Sequence, residues 1–305
     1  MCQDFENLMD MYKSKDPVQR EYCIRRSSKL PSAERIKLLK IALKDRSSYV
    51  LATVAAVLKT DPLEELESEM IDLFQRCSED GKKHDPGCSI RSHLAIAFGK
   101  LKSTSAVELL KKGSRTFQVE SMLDSAGQLR GNCCLALADI ASSDGFFDIV
   151  NALFDDSPPN SSVQFDIRSR IAAIHALIRT GRVDAKAPIW IKLKIRDNPS
   201  VLQECMHALV EMGDPNAFEA MCPYLHDRDS ALVAAASIQL IRLDRKDAIV
   251  LVLEQLETLP DELIQAVVIA LAGERTDLAQ TTLLQLQQSE NKKIVEYVSD
   301  TLGCS

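Results

Sequence analysis

The sequence predicts an all-α protein, an α-α superhelix of about eight two-helix repeats. Three observations predict it: apolar segments recur at near-constant spacing, the residue mix favours helices, and no alternating run of strand type persists. Of 305 residues, 46% are hydrophobic, 27% charged and only 5% aromatic. Leu and Ala dominate, and both lose little on entering a helix. That apolar fraction belongs to a folded chain, not a disordered one.

The recurring segments begin with YVLATVAAVL (49–58), SIRSHLAIAFGKL (89–101), QLRGNCCLALADI (128–140) and RSRIAAIHALI (168–178). They continue with SVLQECMHALVEM (200–212), ALVAAASIQLIRL (231–243), ELIQAVVIALAGE (262–274) and KIVEYVSDTLG (293–303). One late apolar position aligns them: Leu58, Phe98, Leu137, Leu177, Leu209, Leu240, Leu271 and Leu302, at intervals of 40, 39, 40, 32, 31, 31 and 31. Small residues near the fourth and fifth positions of each let a neighbouring helix come close. Between these segments runs a second helical pattern: FFDIVNALF (146–154), AFEAMCPYL (217–225), AIVLVLEQL (248–256) and LAQTTLLQL (278–286). MGDPNA, LHDRDS and TLPDEL separate the two, and their Gly, Pro and Asp end one helix and cap the next. A pair of helices this short cannot bury its apolar face alone, so neighbours must stack.

SIRSHLAIAFG, QLRGNCCLALA, DIRSRIAAIHALI and the GDP turn before NAFEA resemble the HEAT-repeat family, and more closely its short, bilin-lyase-like subtype. The resemblance covers residues 40 to 303 and implies an array over 41–305. Residues 1–40 (VQREYCIRRSSKL, SAERIKLLKIAL) are helical in pattern but fit the repeat poorly, as suits an amino-terminal cap. The early intervals near 40 imply inserts at SEDGKKHDPGCS (78–89), around 111–127 and at DDSPPNSSVQFD (155–166). A rigid scaffold presents such loops for recognition.

Chemistry is hard to find in the chain. There is no G-x-S-x-G, no G-x-x-x-x-G-K-[ST] and no G-x-G-x-x-G, and the five histidines fall in no catalytic motif. No catalytic residue and no cofactor are therefore assigned. Carboxylate pairs such as Asp155/Asp156 and Asp261/Glu262 read as helix caps. Cys77, His84, Cys88 and His93 form a C-x6-H-x3-C-x4-H run, but closed zinc sites show tighter pairs. The stretch reads instead as the first enlarged loop, with Ser89 as N-cap of the following helix, and no metal is assigned.

One positional series stands out: Arg91, Arg130 and Arg168 or Arg170 open three successive second helices, each preceded by Asp85, Asp124 or Asp166. Two readings remain open, an Asp–Arg ladder tying repeats together and a row of cations facing an acidic partner. His175 and His207 lie two residues before the aligned Leu and form a second candidate pair on one surface. The resemblance implies that second helices line a concave face.

Net charge is −7, unevenly spread. Residues 11–46 carry eleven Lys or Arg against four Asp or Glu, while 131–305 carry fifteen against twenty-five. No apolar stretch reaches the ~20 residues of a membrane span, and MCQDFENLMD has no secretory h-region. Nine irregularly spaced cysteines then fit a reducing cytoplasm. The expected function is a non-catalytic scaffold binding a partner protein. The resemblance implies one alternative, a bilin lyase-like subunit acting on a phycobiliprotein. The other alternative is polyanion or DNA binding through Lys29, Arg35, Lys37, Lys40 and Lys44.

Overall fold

The structure is a computed structural model that describes residues 2–120, 123–141, 143–155 and 166–303. Its helices fall into two compact units, Met1–Thr180 and Gly181–Ser305, so the chain divides where the repeat interval drops from 40 to 32.

In the first unit α1 (Cys2–Tyr12), α2 (Pro17–Arg26) and α3 (Ser32–Ala42) lead into α4 (Ser48–Thr60), α5 (Glu67–Glu79), a single turn α6 (Gly81–His84) and α7 (Ser89–Leu101). Then come α8 (Val107–Ser114), β1 (Val119–Glu120), β2 (Leu123–Asp124), α9 (Gly127–Asp139), α10 (Phe146–Leu153) and α11 (Arg168–Thr180). The second helices α4, α7, α9 and α11 pack side by side, with α2 continuing the row beyond α4. In the second unit α12 (Lys186–Lys194), α14 (Ala217–Met221), α16 (Lys246–Leu256) and α18 (Asp277–Leu286) alternate with α13 (Pro199–Glu211), α15 (Ser230–Arg242), α17 (Asp261–Gly273) and α19 (Lys292–Gly303). Here α13, α15, α17 and α19 form the row.

The repeat register is physical. The aligned residues from Leu58 to Leu271 are all fully buried, and seven of the eight second helices are thirteen residues long. Leu302, the last aligned position, is half-buried. Caps follow side-chain chemistry: Asp16, Asn198, Asp229 and Thr276 each accept a backbone N–H in the first turn of α2, α13, α15 and α18. The GDP turn ends α13 with Gly213 at φ +59°, its N–H donating to Val210 O and that of Asp214 to Leu209 O. Only a residue without Cβ takes that left-handed conformation freely.

The all-α fold carries one local addition. The second insert carries a short antiparallel hairpin, Val119 opposite Asp124 and Glu120 opposite Leu123. Two-residue strands are too short to show any alternation in sequence, so the pattern had nothing to register.

Small residues act as expected where α9 meets α11. A Cβ built on Gly131 would lie 2.7 Å from the Ala172 Cβ. Overpacking of this kind costs about 1–3 kcal/mol. Gly131→Val is therefore expected to lower stability by about 2–3 kcal/mol despite removing a helical glycine, as read from the urea midpoint.

The first helices are tied down by polar groups. Asp45 accepts from Tyr12 Oη at 2.6 Å, from Arg20 Nε at 2.8 Å and Nη2 at 3.1 Å, and from Ser47 N at 2.8 Å. Burial would raise the Asp45 carboxyl, but the hydrogen bonds from Arg20, Tyr12 and Ser47 overcome it and hold the carboxyl below the ordinary range. A depressed carboxylate adds stability above its unfolded value, about 3.9, and that stability is lost as pH falls through the lower folded value. Asp45→Asn is thus expected to cost about 1–3 kcal/mol at pH 7. The gap between variant and parent should close as unfolding is measured at pH values falling below the ordinary aspartate range.

Candidate partner-binding surface

The arginine series resolves into a buried network that begins with a turn. Gly87 (φ +76°) and Cys88 (φ +59°) swing the chain back so that Asp85 reaches the start of α7. Its Oδ1 accepts from Ile90 N at 2.9 Å, and its Oδ2 from Arg91 N at 3.1 Å and Arg91 Nε at 3.0 Å. Asp85, not Ser89, therefore caps α7. Arg91 Nη2 also donates to Gln118 Oε1 at 2.8 Å, and Gln118 Nε2 donates to Asp85 O at 3.3 Å. The first two inserts are locked together through this one amide.

Asp124 repeats the motif at α9. Its Oδ1 accepts from Gln118 N and Ala126 N, and its Oδ2 lies 2.6 Å from Arg130 Nη1. Arg130 Nε lies 2.6 Å from Asp155 Oδ2, and its guanidinium stacks 4.3 Å from the Phe117 ring centroid. Asp155, expected as a helix cap, is instead a second counter-ion. Burial pushes the Asp155 carboxyl up from its ordinary range, against the pull of Arg130. In the third unit Asp166 accepts from Arg168 N at 2.8 Å and from its Nε, and Arg170 Nη1 donates to Asp155 O at 2.8 Å. Burial works against the Asp166 carboxylate, yet the bonds from Arg168 keep its pKa low.

This geometry corrects the partner-facing reading for part of the row. Arg91 is 2% exposed, Arg130 0% and Arg170 6%. Their donors serve inserts and helix starts inside the protein, so they hold the inserts and offer no surface to a partner. Arg168 is largely exposed while paired with Asp166. His175 is exposed on α11 in the first unit. His207, on α13 in the second, contacts Arg242 at 3.2 Å and Glu211 at 3.2 Å.

A charged row escaped the sequence reading. Two residues after the aligned position stand Lys100, Asp139 and Arg179 in the first unit, and Glu211 and Arg242 in the second. Arg179 pairs with Asp139 at 3.2 Å, and Lys100 Nζ donates to the carbonyls of Lys59 and Thr60 that end α4. The signal was there: the same alignment read two columns further on. These pairs are exposed and contribute about 0–1 kcal/mol each.

Cys77 and Cys88 are buried and are not brought together with His84 and His93 as a metal-ligand set. Burial pushes the Cys77 thiol up to about 12 and that of Cys88 to about 11, so both are neutral packing groups at pH 7. The hairpin, by contrast, turns Phe117, Val119 and Leu123 outward, the last 62% exposed. Residues 156–165, most of the third insert, lie outside the described residues. Among the described residues no helix is long and apolar enough to cross a membrane.

No protein-family model matches the sequence, and no curated protein matches it. Solved structures do. The crystal structure of Kap121p bound to Pho4p is 12% identical, with a TM-score of 0.53, and the match covers 99% of this chain. The karyopherin Kap121p bound to the SUMO protease Ulp1p is 13% identical with a TM-score of 0.52 over the same share. The chain spans 37% of the length of those proteins. At this identity the likeness is one of fold, a HEAT-like helical solenoid.

Proposed function

We propose that this chain is a non-catalytic interaction scaffold that binds a partner protein through the inserts between its amino-terminal repeats. The hairpin of the second insert carries this reading. Its base is held by the buried Arg91–Gln118 and Arg130–Asp124 contacts, while Phe117, Val119 and Leu123 face outward. A loop ordered before binding loses less entropy on capture. Arg168 and His175 are exposed groups that we assign to the same partner surface; Arg91, Arg130 and Arg170 serve it indirectly by holding the inserts. Fold analogy supports the reading, since the similar karyopherin structures hold Pho4p and Ulp1p.

Residues 1–40 act as the cap of the array in this proposal, and the cytoplasm is its compartment. The 31-residue period supports the short-repeat subtype. Its bilin lyase activity has no residue here to carry it. The test is the double variant Val119→Ser/Leu123→Ser in cross-linked capture from the native source. Proteins held by the parent should drop out while helicity is unchanged. An unaltered set, or none captured by the parent, refutes the reading.

A further inference from the structure

We propose that a groove on the first unit, floored by α4 and rimmed by α2 and α3, binds an acidic peptide segment bearing apolar side chains. The groove has a volume of about 720 Å³. Its floor is apolar: Ala52, Ala56 and Val57 line it, and the Tyr49 ring is 52% exposed at one end. Its rim is cationic, with Arg25, Arg35 and Lys59 against one carboxylate, Asp61.

The three cations differ in what already holds them. Arg25 is bonded to Glu21, which is buried beneath it, and Arg35 to Asp61. The Lys59 ammonium makes no hydrogen bond or ion pair among the described residues, and Lys100 stands beside it on the carbonyls ending α4. A ligand carboxylate would meet Lys59 with no internal competitor. Charge complementarity thus points to an acidic ligand, and the methyl-rich floor points to one that also carries apolar groups. A nucleic acid fits less well, because Tyr49 is the one aromatic of the lining and strand binding draws on several stacking rings.

This inference rests on the scaffold reading but uses a different surface from the hairpin. The probe is a fluorescein-labelled synthetic peptide of alternating Glu and Leu, with anisotropy measured on the full chain. Lys59→Glu should weaken binding about tenfold, the scale of one lost charge contact. Asp61→Asn should strengthen it about threefold, because it releases Arg35 and removes a repulsive carboxylate. Asp61 is exposed and Lys59 half-buried, and circular dichroism checks that each variant is folded. Added salt should weaken the complex.

Absence of binding, equal affinity for an alternating Lys/Leu peptide, or indifference to Lys59→Glu overturns the proposal. So does displacement of the peptide by oligothymidylate at equal charge, which would make the groove a polyanion site. The two readings fail separately. Loss of capture on changing Val119 and Leu123, with no peptide bound, retains the scaffold and removes the groove. Peptide binding with no effect of the hairpin variant retains the groove as the scaffold's partner surface and removes the hairpin from that role.

Discussion

Replacing Arg130 by methionine is expected to destabilise the first unit by about 3–5 kcal/mol, the usual range when one partner of a buried ion pair is removed. Two carboxylates depend on this guanidinium, Asp124 and Asp155, at 2.6 Å each. The side chains of Arg130 and Asp124 are 1% and 0% exposed, so neither water nor salt can replace what is lost. Arg130→Met also removes the stack on Phe117 and the bond to Thr116 O, loosening the base of the hairpin. Hydrogen exchange over α9, α10 and residues 115–125 locates the damage, which matters because repeat arrays need not unfold in one step.

The pH dependence separates charge loss from packing loss. The Asp155 carboxyl already stands above its ordinary range, so its stabilising contribution is full below the unfolded value and declines as pH rises through the raised one. Without Arg130 that rise becomes larger, and the deficit of the variant should shrink as pH is lowered from 7 towards 4. A deficit that stays constant with pH would mean that packing, not the stranded charges, carries the cost. The triple variant Asp124→Leu/Arg130→Met/Asp155→Leu should recover most of the stability, as apolar replacement of whole buried clusters commonly does.

The repeat was legible in the sequence because burial repeats with it. From Leu58 to Leu271 each aligned residue sits at the same depth, so a single column of apolar residues reports the stack. The Asp85–Arg91 and Asp124–Arg130 pairs were visible for a related reason: their spacing of six is set by a local turn at a helix start. Asp155 could not be paired this way. It meets Arg130 across α10 from twenty-five residues away, and nothing in the local pattern marks it as a counter-ion. The hairpin was likewise invisible, since its strands are only two residues long and are held by a side chain, Asp124, that also serves α9. Long-range pairing and very short strands leave no periodic trace.

Lys192 shows a signal that was present but easy to pass over, and its replacement is the second large effect expected. On α12 it follows Ile189 by three residues and precedes Leu193, both buried, so it falls on the apolar stripe of its helix. Its side chain is 0% exposed and its Nζ lies 2.5 Å from Asp197 Oδ2, itself 5% exposed. Asp197 sits in the turn between α12 and α13, so the pair closes that turn from inside the second unit. Lys192→Met keeps the length of the stem and removes the charge, leaving a buried carboxylate. The expected loss is about 3 kcal/mol, below that of Arg130→Met because one carboxylate loses its buried cation instead of two. Adding Asp197→Leu should restore most of it, and hydrogen exchange over α12 and α13 is the readout. If Lys192→Met alone is neutral, water must reach Asp197 in solution, and the pair is no more than a satisfied surface contact.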